Sequence, residues 1–131
     1  MVEVAVCFPV FMLVLLGIIE FGRAMSINQL LNSAARIGCR AAVLDGSTNT
    51  SVSDLVKQQV ASTVGIQKSS VAVTITATSS QTGTPLSDVS TAKTGDMLEL
   101  DVSVPFSVVS WSVKTWLANA SIRGECSMQH E

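Results

Sequence analysis

The first 44 residues carry the strongest pattern in the chain, and they predict one long helix with two different halves. Val4 to Phe21 is almost purely apolar, whereas Gly22 to Leu44 is amphipathic. The apolar positions of the second half recur at helical spacing at Ile27, Leu30, Ala34, Ile37, Ala41 and Leu44. A helix of this length is roughly 66 Å long, about twice the thickness of the hydrocarbon core of a bilayer. It can therefore span a membrane or a helical bundle and still project beyond it.

The patterns after the long helix predict a small domain built from a helix and strands. Gly46 ends the first helix, and Ser51 with Asp54 predicts a capping-box start for a second helix, Val52 to Val64. Apolar and polar residues then alternate in three predicted strands: Ser70–Thr78, Asp96–Phe106 and Ala120–His130. We interpret residues 79–94 as an exposed loop and Ser107–Leu117 as a short helix or turn.

Each predicted strand has one apolar face, and that face needs a cover. The inward positions are Val71, Val73, Ile75 and Ala77; Leu98, Leu100, Val102, Val104 and Phe106; and Ile122, Cys126 and Met128. The amphipathic half of the long helix is the natural cover, because its small residues allow close approach. The predicted fold class is α+β, with a long N-terminal helix packed on a three- or four-stranded antiparallel sheet. We divide the chain into residues 1–22, a transmembrane or filament-core half-helix, and residues 23–131, a globular domain.

Composition narrows the possible functions. Hydrophobic residues make up 47% of the chain and charged residues 14%, and the apolar excess comes from the N-terminus. The eight basic residues are scattered, which argues against a nucleic acid partner. The chain has one histidine, His130, and no recognisable nucleophile turn, zinc set or phosphate loop, so we expect no catalytic residue, cofactor or metal. The spacing of Asp88, Asp96, Glu99 and Asp101 fits no calcium loop and indicates a solvated strand face instead.

The charges around the apolar run leave its orientation open. Arg23, Arg36 and Arg40 all follow the run, which by the positive-inside rule alone places the domain in the cytoplasm. A basic leader removed from the chain would reverse that orientation. If Cys39 and Cys126 pair, the domain lies in an oxidising compartment.

The apolar half contains two residues that a segment serving only as a membrane anchor would not require. A carboxylate at the edge of an apolar segment is costly, so Glu3 is expected to meet a positive group such as the N-terminal amine of a neighbouring copy. The alternative places Glu3 at the water interface. Pro9 has no N–H and is expected to bend or loosen the helix near Ala5. Glu20 and Arg23 are spaced for an intrachain pair, with a contact between neighbouring subunits as the alternative.

The segment from Val2 to Met25 resembles the N-terminus of TadE-like proteins, pilin-like subunits of the Tad (tight adherence) branch of type IV pilus systems. The similarity lies in Val2-Glu3, in Pro9 near the start of the apolar run, and in the sequence GIIEFGR at residues 17–23. It continues through NSAARIGCR at residues 32–40 and through the strand that follows Gly95-Asp96 and ends at Pro105-Phe106. The resemblance covers both ends of the chain and leaves out the middle.

The resemblance implies a type IV pilin-like fold and a structural subunit, pilin or minor pilin, of an extracellular pilus used for surface attachment. Such a subunit is held in the bacterial inner membrane with its domain in the periplasm, and then polymerises through its apolar half-helix. The implied partners are copies of itself and other pilins, a prepilin peptidase, an assembly ATPase and a membrane platform. Glu3, Pro9, Glu20 and Arg23 are the residues expected to act in filament assembly.

Two points of the comparison depart from the family pattern. Glu3 lies nearer the start of this chain than the glutamate of pilin-like subunits does after leader cleavage. Cys39 stands where the family usually has alanine, which suggests a disulfide with Cys126 between helix and sheet; two buried free thiols are the alternative.

A function of another class also stays open: a monomeric membrane-anchored module that binds or scaffolds something in the periplasm, which would need neither Glu3 nor Pro9.

Overall fold

The computed structural model describes residues 1–44, 46–111 and 119–131. The helices are α1 (Val2–Val43), α2 (Asn49–Val64) and α3 (Phe106–Val109). The strands are β1 (Ala72–Thr78), β2 (Pro85–Leu86), β3 (Met97–Pro105) and β4 (Ser121–Gln129). All neighbouring strands are antiparallel, in the order β2-β1-β3-β4. The predicted α+β fold, a long N-terminal helix on a small antiparallel sheet, is confirmed.

The core lies between one face of the sheet and the two longer helices. β3 is central: it pairs with β1 from Met97↔Thr78 to Ser103↔Ala72 and with β4 along its full length. Its alternate residues face the helices and are at most 2% exposed at Leu98, Leu100, Val102 and Val104. The helices fill the other side with small and branched residues, namely Leu31, Ala35, Cys39, Val52, Val56 and Val60. The C-terminal half of α1 therefore covers the sheet as expected, although Ile37 and Leu44 of its predicted apolar face are 41% and 66% exposed.

Gly124 allows α1 to approach β4 until the two backbones touch. A Cβ at this position would lie 2.5 Å from the backbone nitrogen of Asn32 and closer still to the carbonyl carbon of Leu31. Beside this contact, Asn28 Nδ2 donates to the Arg123 carbonyl at 3.1 Å, and the Glu125 N–H donates to Asn32 Oδ1 at 3.2 Å.

These bonds correct the expected position of Asn32. The sequence pattern predicts Asn32 on the face of α1 that points away from the domain. Because Gly124 has no side chain to hold the helix at ordinary distance, Asn32 reaches β4 and also donates to Asn28 Oδ1 at 3.0 Å. The two asparagines thereby satisfy backbone groups of an edge strand, which would otherwise be open to pairing with another chain.

The second helix begins earlier than its predicted start. Thr48 is the N-cap: its hydroxyl accepts from the Ser51 N–H at 3.3 Å, and Ser51 Oγ accepts from the Thr48 N–H at 3.1 Å. The predicted cap of Ser51 with Asp54 is therefore wrong, because serine fills the role that glutamate or glutamine usually has in a capping box. The helical spacing of Val52, Leu55 and Val56 predicts one apolar face for this helix, but Leu55 is 45% exposed.

The segment between β1 and β3 has more structure than the predicted loop. β2 pairs with the end of β1 through Ala77↔Leu86 and Thr78↔Pro85, and Val89–Thr91 forms a 3₁₀ turn. Asp88 Oδ1 accepts from the Ser90 N–H at 2.9 Å, which caps that turn and lowers the pKa of Asp88. A second 3₁₀ turn, Lys68–Ser70, delays the start of β1 to Ala72.

The short helix predicted within Ser107–Leu117 corresponds in part to α3, which spans Phe106–Val109. Val113, Trp116 and Leu117, on which that prediction also rested, lie outside the described residues.

Asp96 connects two loops with the end of the chain. Its Oδ1 accepts from the Ser80 N–H at 2.9 Å and its Oδ2 from the Lys93 N–H at 2.8 Å. The His130 N–H donates to the Asp96 carbonyl at 2.8 Å. Asp96 is only 4% exposed, so its predicted place on a solvated strand face is wrong, whereas Glu99 is exposed as expected. The backbone donors of Lys93 and Ser80 lower the pKa of Asp96.

Gly124→Ala is expected to lower the free energy of unfolding by roughly 1–3 kcal/mol or to prevent folding, because the new Cβ would meet helix backbone that cannot move aside. Urea denaturation of the full chain in detergent micelles, followed by circular dichroism, measures the change. Gly22→Ala is the matched control: no atom lies within 4 Å of its Cβ position. Equal effects of the two variants would contradict the described contact of α1 with β4.

Asp96→Asn is expected to destabilise the domain at neutral pH, because one carboxylate oxygen becomes an amide that faces an N–H donor. Since the pKa of Asp96 is lowered in the folded state, its contribution is present above the unfolded pKa of 3.8 and is lost as pH falls further. Thermal unfolding of the wild type should therefore lose stability in acid more steeply than that of the variant. Asp54→Asn, at an exposed position of α2, is the control and should not alter the acid dependence.

Candidate membrane and assembly surface

The N-terminal half of α1 stands almost free of the domain. Residues 1–19 are exposed apart from a half-buried Leu15, with Leu13 at 72% and Ile18 at 62%. By length and composition α1 can cross a membrane, and none of its most apolar stretch is buried. Burial of a large apolar side chain contributes about 1.5–3 kcal/mol of hydrophobic stabilisation. In water the uncovered segment therefore lacks on the order of 20 kcal/mol or more of this stabilisation. This segment needs a lipid or protein environment.

Glu3 and Pro9 both lie on this uncovered half. Glu3 is in the first turn of α1, where the helix dipole favours a carboxylate. Within the described residues, no ion-pair partner lies within 4.0 Å of it. Helix α1 is continuous through Pro9, which is exposed. The roles of both residues in assembly stay predictions.

Glu20 is the exception in the apolar half, because the domain buries it. Only 9% of the residue is exposed. Its Oε1 accepts from Ser110 Oγ at 3.2 Å and from the Trp111 N–H at 3.1 Å. The segment after β3 thus crosses back to α1 and contacts the last turn of the apolar run. Glu20, which belongs to residues 1–22 of the expected division, is thus in contact with the segment after β3.

Arg23 lies on the same part of α1 and faces Trp111. Its guanidinium carbon is 5.5 Å from the centre of the Trp111 ring, which is within the range of a cation–π contact. The structure thus places Glu20 and Arg23 against the same segment, residues 110–111. Trp111 itself is 82% exposed.

Cys39 and Cys126 are neighbours between α1 and β4. Both are thiols in this structure, and Cys39 Sγ donates to the Cys126 carbonyl at 3.3 Å. Burial and the neighbouring Cys126 raise the pKa of Cys39 to about 12. The thiol of Cys39 is therefore neutral and unreactive near pH 7, and the disulfide stays a prediction. Cys7, in the apolar half, is exposed.

The outer face of the sheet is polar and shallow. A depression of about 320 Å³ lies there, lined by residues that include Glu99, Asp101 and Glu125. Arg123 and Asp101 form an ion pair at 3.7 Å beside it. In the described part of the chain, no three His, Cys, Asp or Glu side chains are grouped so that they could hold a metal ion.

A helix half buried in a domain and half uncovered, on a small antiparallel sheet, defines an α+β protein of type IV pilin-like architecture with a candidate membrane anchor. The family model of TadE-like proteins matches residues 1–40, which confirms the resemblance over nearly all of α1. The match covers 40 of the 131 residues, and it suggests a protein associated with a Tad pilus; that pilus family is structural and non-enzymatic. No curated protein and no solved structure matches the chain.

Sequence reasoning missed the contacts made by Ser110, Trp111 and Gly124. Ser110 and Trp111 are not among the apolar positions on which the predicted helix within residues 107–117 rests, so nothing local indicates that they reach Glu20. Gly124 interrupts the apolar positions of the last strand between Ile122 and Cys126, and an isolated glycine in a strand is a recognised sign of close backbone approach.

The raised pKa of Cys39 predicts how stability responds to alkali. Unfolding lowers the pKa to 9.0, so the contribution of the neutral thiol is fully present below pH 9 and is lost as pH rises toward 12. The reduced domain should therefore become less stable from about pH 9 upward in urea denaturation, and Cys39→Ala should reduce that loss. Cys7→Ala, at an exposed position, is the control. An oxidised Cys39–Cys126 pair would not titrate, so a flat alkaline profile with an intact disulfide in mass spectrometry would support the disulfide instead.

Proposed function

We propose that this protein is a structural subunit, pilin or minor pilin, of a Tad or type IV-like extracellular pilus that serves surface attachment. Before assembly it is a single-pass protein of the bacterial inner membrane with its domain in the periplasm. During assembly it polymerises through the apolar half of α1. The implied partners are copies of itself and other pilins, with a prepilin peptidase, an assembly ATPase and a membrane platform.

The observation that carries this proposal is the uncovered half of α1. Phe8, Phe11 and Leu13 are all more than half exposed, although they belong to the most apolar stretch of the chain. A simple membrane anchor would also have such an apolar surface, so the exposed surface alone does not indicate a pilus. The pilus context comes from the family match, which includes the whole uncovered half of α1.

The same apolar surface suits both stages of the proposed pathway. In the membrane, residues 1–22 lie in lipid, and in the filament they pack against equivalent helices. Lipid tails and packed helices are both apolar, so the exchange costs little hydrophobic free energy. Extraction from the membrane still needs an external motor, which is the role we assign to the assembly ATPase.

The polar features of α1 are assigned to the filament stage. Glu3, which has no ion-pair partner within the described residues, is satisfied in the filament by a positive group such as a neighbouring N-terminal amine. Pro9 allows the helix to adapt to its neighbours. In the membrane stage Glu3 stays at the interface, where water solvates it.

Glu3→Ala is expected to abolish or strongly reduce the amount of this protein in filaments, because the proposed charge contact between subunits is lost. The measurement compares immunoblots of sheared surface material and of the membrane fraction from cells that carry each variant. Glu99→Ala, which removes an exposed carboxylate from the outer face of the sheet, is the control and should enter filaments like the wild type.

Two results would contradict the proposal in different ways. If Glu3→Ala enters filaments as well as Glu99→Ala does, the carboxylate is not an assembly determinant. If the wild-type protein itself never leaves the membrane fraction, the chain is a monomeric anchored periplasmic module, whether it binds a ligand or scaffolds assembly.

A further inference from the structure

We propose that Trp111 and Arg23 form an interfacial anchor in the lipid headgroup layer, and that Glu20 holds this anchor at the point where α1 leaves the membrane. The inference rests on the membrane stage of the proposed function and adds a lipid-binding surface to it. It concerns the domain, which would then rest on the bilayer and not merely be tethered above it.

The first step is the level of Trp111 along α1. Its backbone N–H and the Ser110 hydroxyl both donate to Glu20, at 3.1 and 3.2 Å. Its ring lies against Arg23. Trp111 is therefore fixed within one turn of the end of the apolar run.

The second step is the length of the segment below that level. From Glu3 to Arg23 a helix rises about 30 Å, the thickness of the hydrocarbon core of a typical bilayer. With Glu3 at one interface, Arg23 lies at the other. Trp111, in contact with Arg23, lies there as well.

The third step is the chemistry of the exposed groups. Tryptophan concentrates at membrane interfaces because its ring is apolar and its indole N–H is polar, and arginine binds phosphate while its aliphatic stem stays in the apolar layer. Trp111 is 82% exposed, an unusual state for the largest apolar side chain in a small domain. Two other large apolar side chains near this level are exposed: Phe21 at 69%, which follows Glu20 in α1, and Val108 at 43%, which lies three residues before Trp111. Trp111 and Arg23 thus present an exposed aromatic ring and a cation side by side at this level.

The fourth step is the role of Glu20. A carboxylate at this depth would be costly if it faced lipid. The domain covers it and uses it as the acceptor that holds residues 110–111 against α1. Glu20 is in this sense a positioning residue, since its bonds place Trp111 at the interface.

The test uses the full chain in vesicles of phosphatidylcholine and phosphatidylglycerol. The chain has two tryptophans, so Trp116→Phe leaves Trp111 as the single fluorophore. Vesicles carry a nitroxide quencher either near the headgroup or near the end of the acyl chain. We expect the Trp111 emission to shift to shorter wavelength than in water and to be quenched more by the shallow nitroxide than by the deep one.

Two further variants in the Trp116→Phe background test the role of Glu20. Glu20→Ala should lose part of the shallow quenching and shift the emission back to longer wavelength, because residues 110–111 are released. Glu20→Gln keeps an oxygen that can accept the same two bonds and should behave like the parent. Equal quenching in all three proteins would contradict the positioning role.

A separate reporter distinguishes failure of this inference from failure of the proposed membrane stage. Phe11→Trp, combined with Trp111→Phe and Trp116→Phe, places the only fluorophore in the apolar half, where the deep nitroxide should quench it best. If this reporter is quenched and Trp111 is not, α1 is inserted and the interfacial anchor is wrong. If neither is quenched, the membrane stage itself fails. A Trp111 emission shift that depends on protein concentration, without quenching, would assign the surface to contact with a second copy and overturn the proposal.

Discussion

The main constraint on this protein is that the described residues of its domain leave half of its longest helix uncovered. Helix α1 is one continuous element, yet only its C-terminal half meets the sheet. The inner face of β3 is already filled by α1 and α2, and the described part of the domain leaves the other half of α1 uncovered. A helix in this state needs an apolar environment from outside the domain, and lipid and a bundle of like helices are the two that we propose.

The contacts that hold α1 to the domain have to bear force if the apolar half is pulled from a membrane. They consist of close backbone approach at Gly124, of the asparagine bonds beside it, and of small side chains such as Ala35 along the helix. A Cβ at Gly38 would also lie only 2.5 Å from a methyl group of Val56 and 2.8 Å from one of Leu100, so the helix fits tightly at that position as well. Such a joint lets the domain and the helix move as one body, and the burial of Glu20 extends it to the edge of the apolar run.

The sequence allowed most of the fold to be predicted, because its elements have strong local patterns. The period of α1 and the strict alternation of β3 each carry their own physical signal, and Gly65 ends α2 in the left-handed conformation that glycine adopts readily. Errors occurred where a distant partner decided the structure. Asp96 is predicted from the sequence to be a solvated acid, but in the structure the N–H groups of Ser80 and Lys93 donate to its carboxylate. Asn32 is predicted to be a surface residue, but the close approach of α1 to β4 at Gly124 brings it into contact with the sheet. The candidate surface divides in the same way: the uncovered apolar half could be predicted, whereas the contact of Glu20 with Ser110 and Trp111 could not, since no local pattern links positions ninety residues apart.

The most direct test of the account asks what covers the apolar half in each state. A photoreactive benzoylphenylalanine at Phe11, in the middle of that half, would crosslink to its neighbours in the membrane fraction and in sheared surface filaments. The account predicts crosslinks to lipid in the membrane fraction and to another pilin helix, from this chain or a related subunit, in the filament fraction. Crosslinks to lipid alone, with none of the protein in filaments, would contradict it and leave α1 as a permanent membrane anchor.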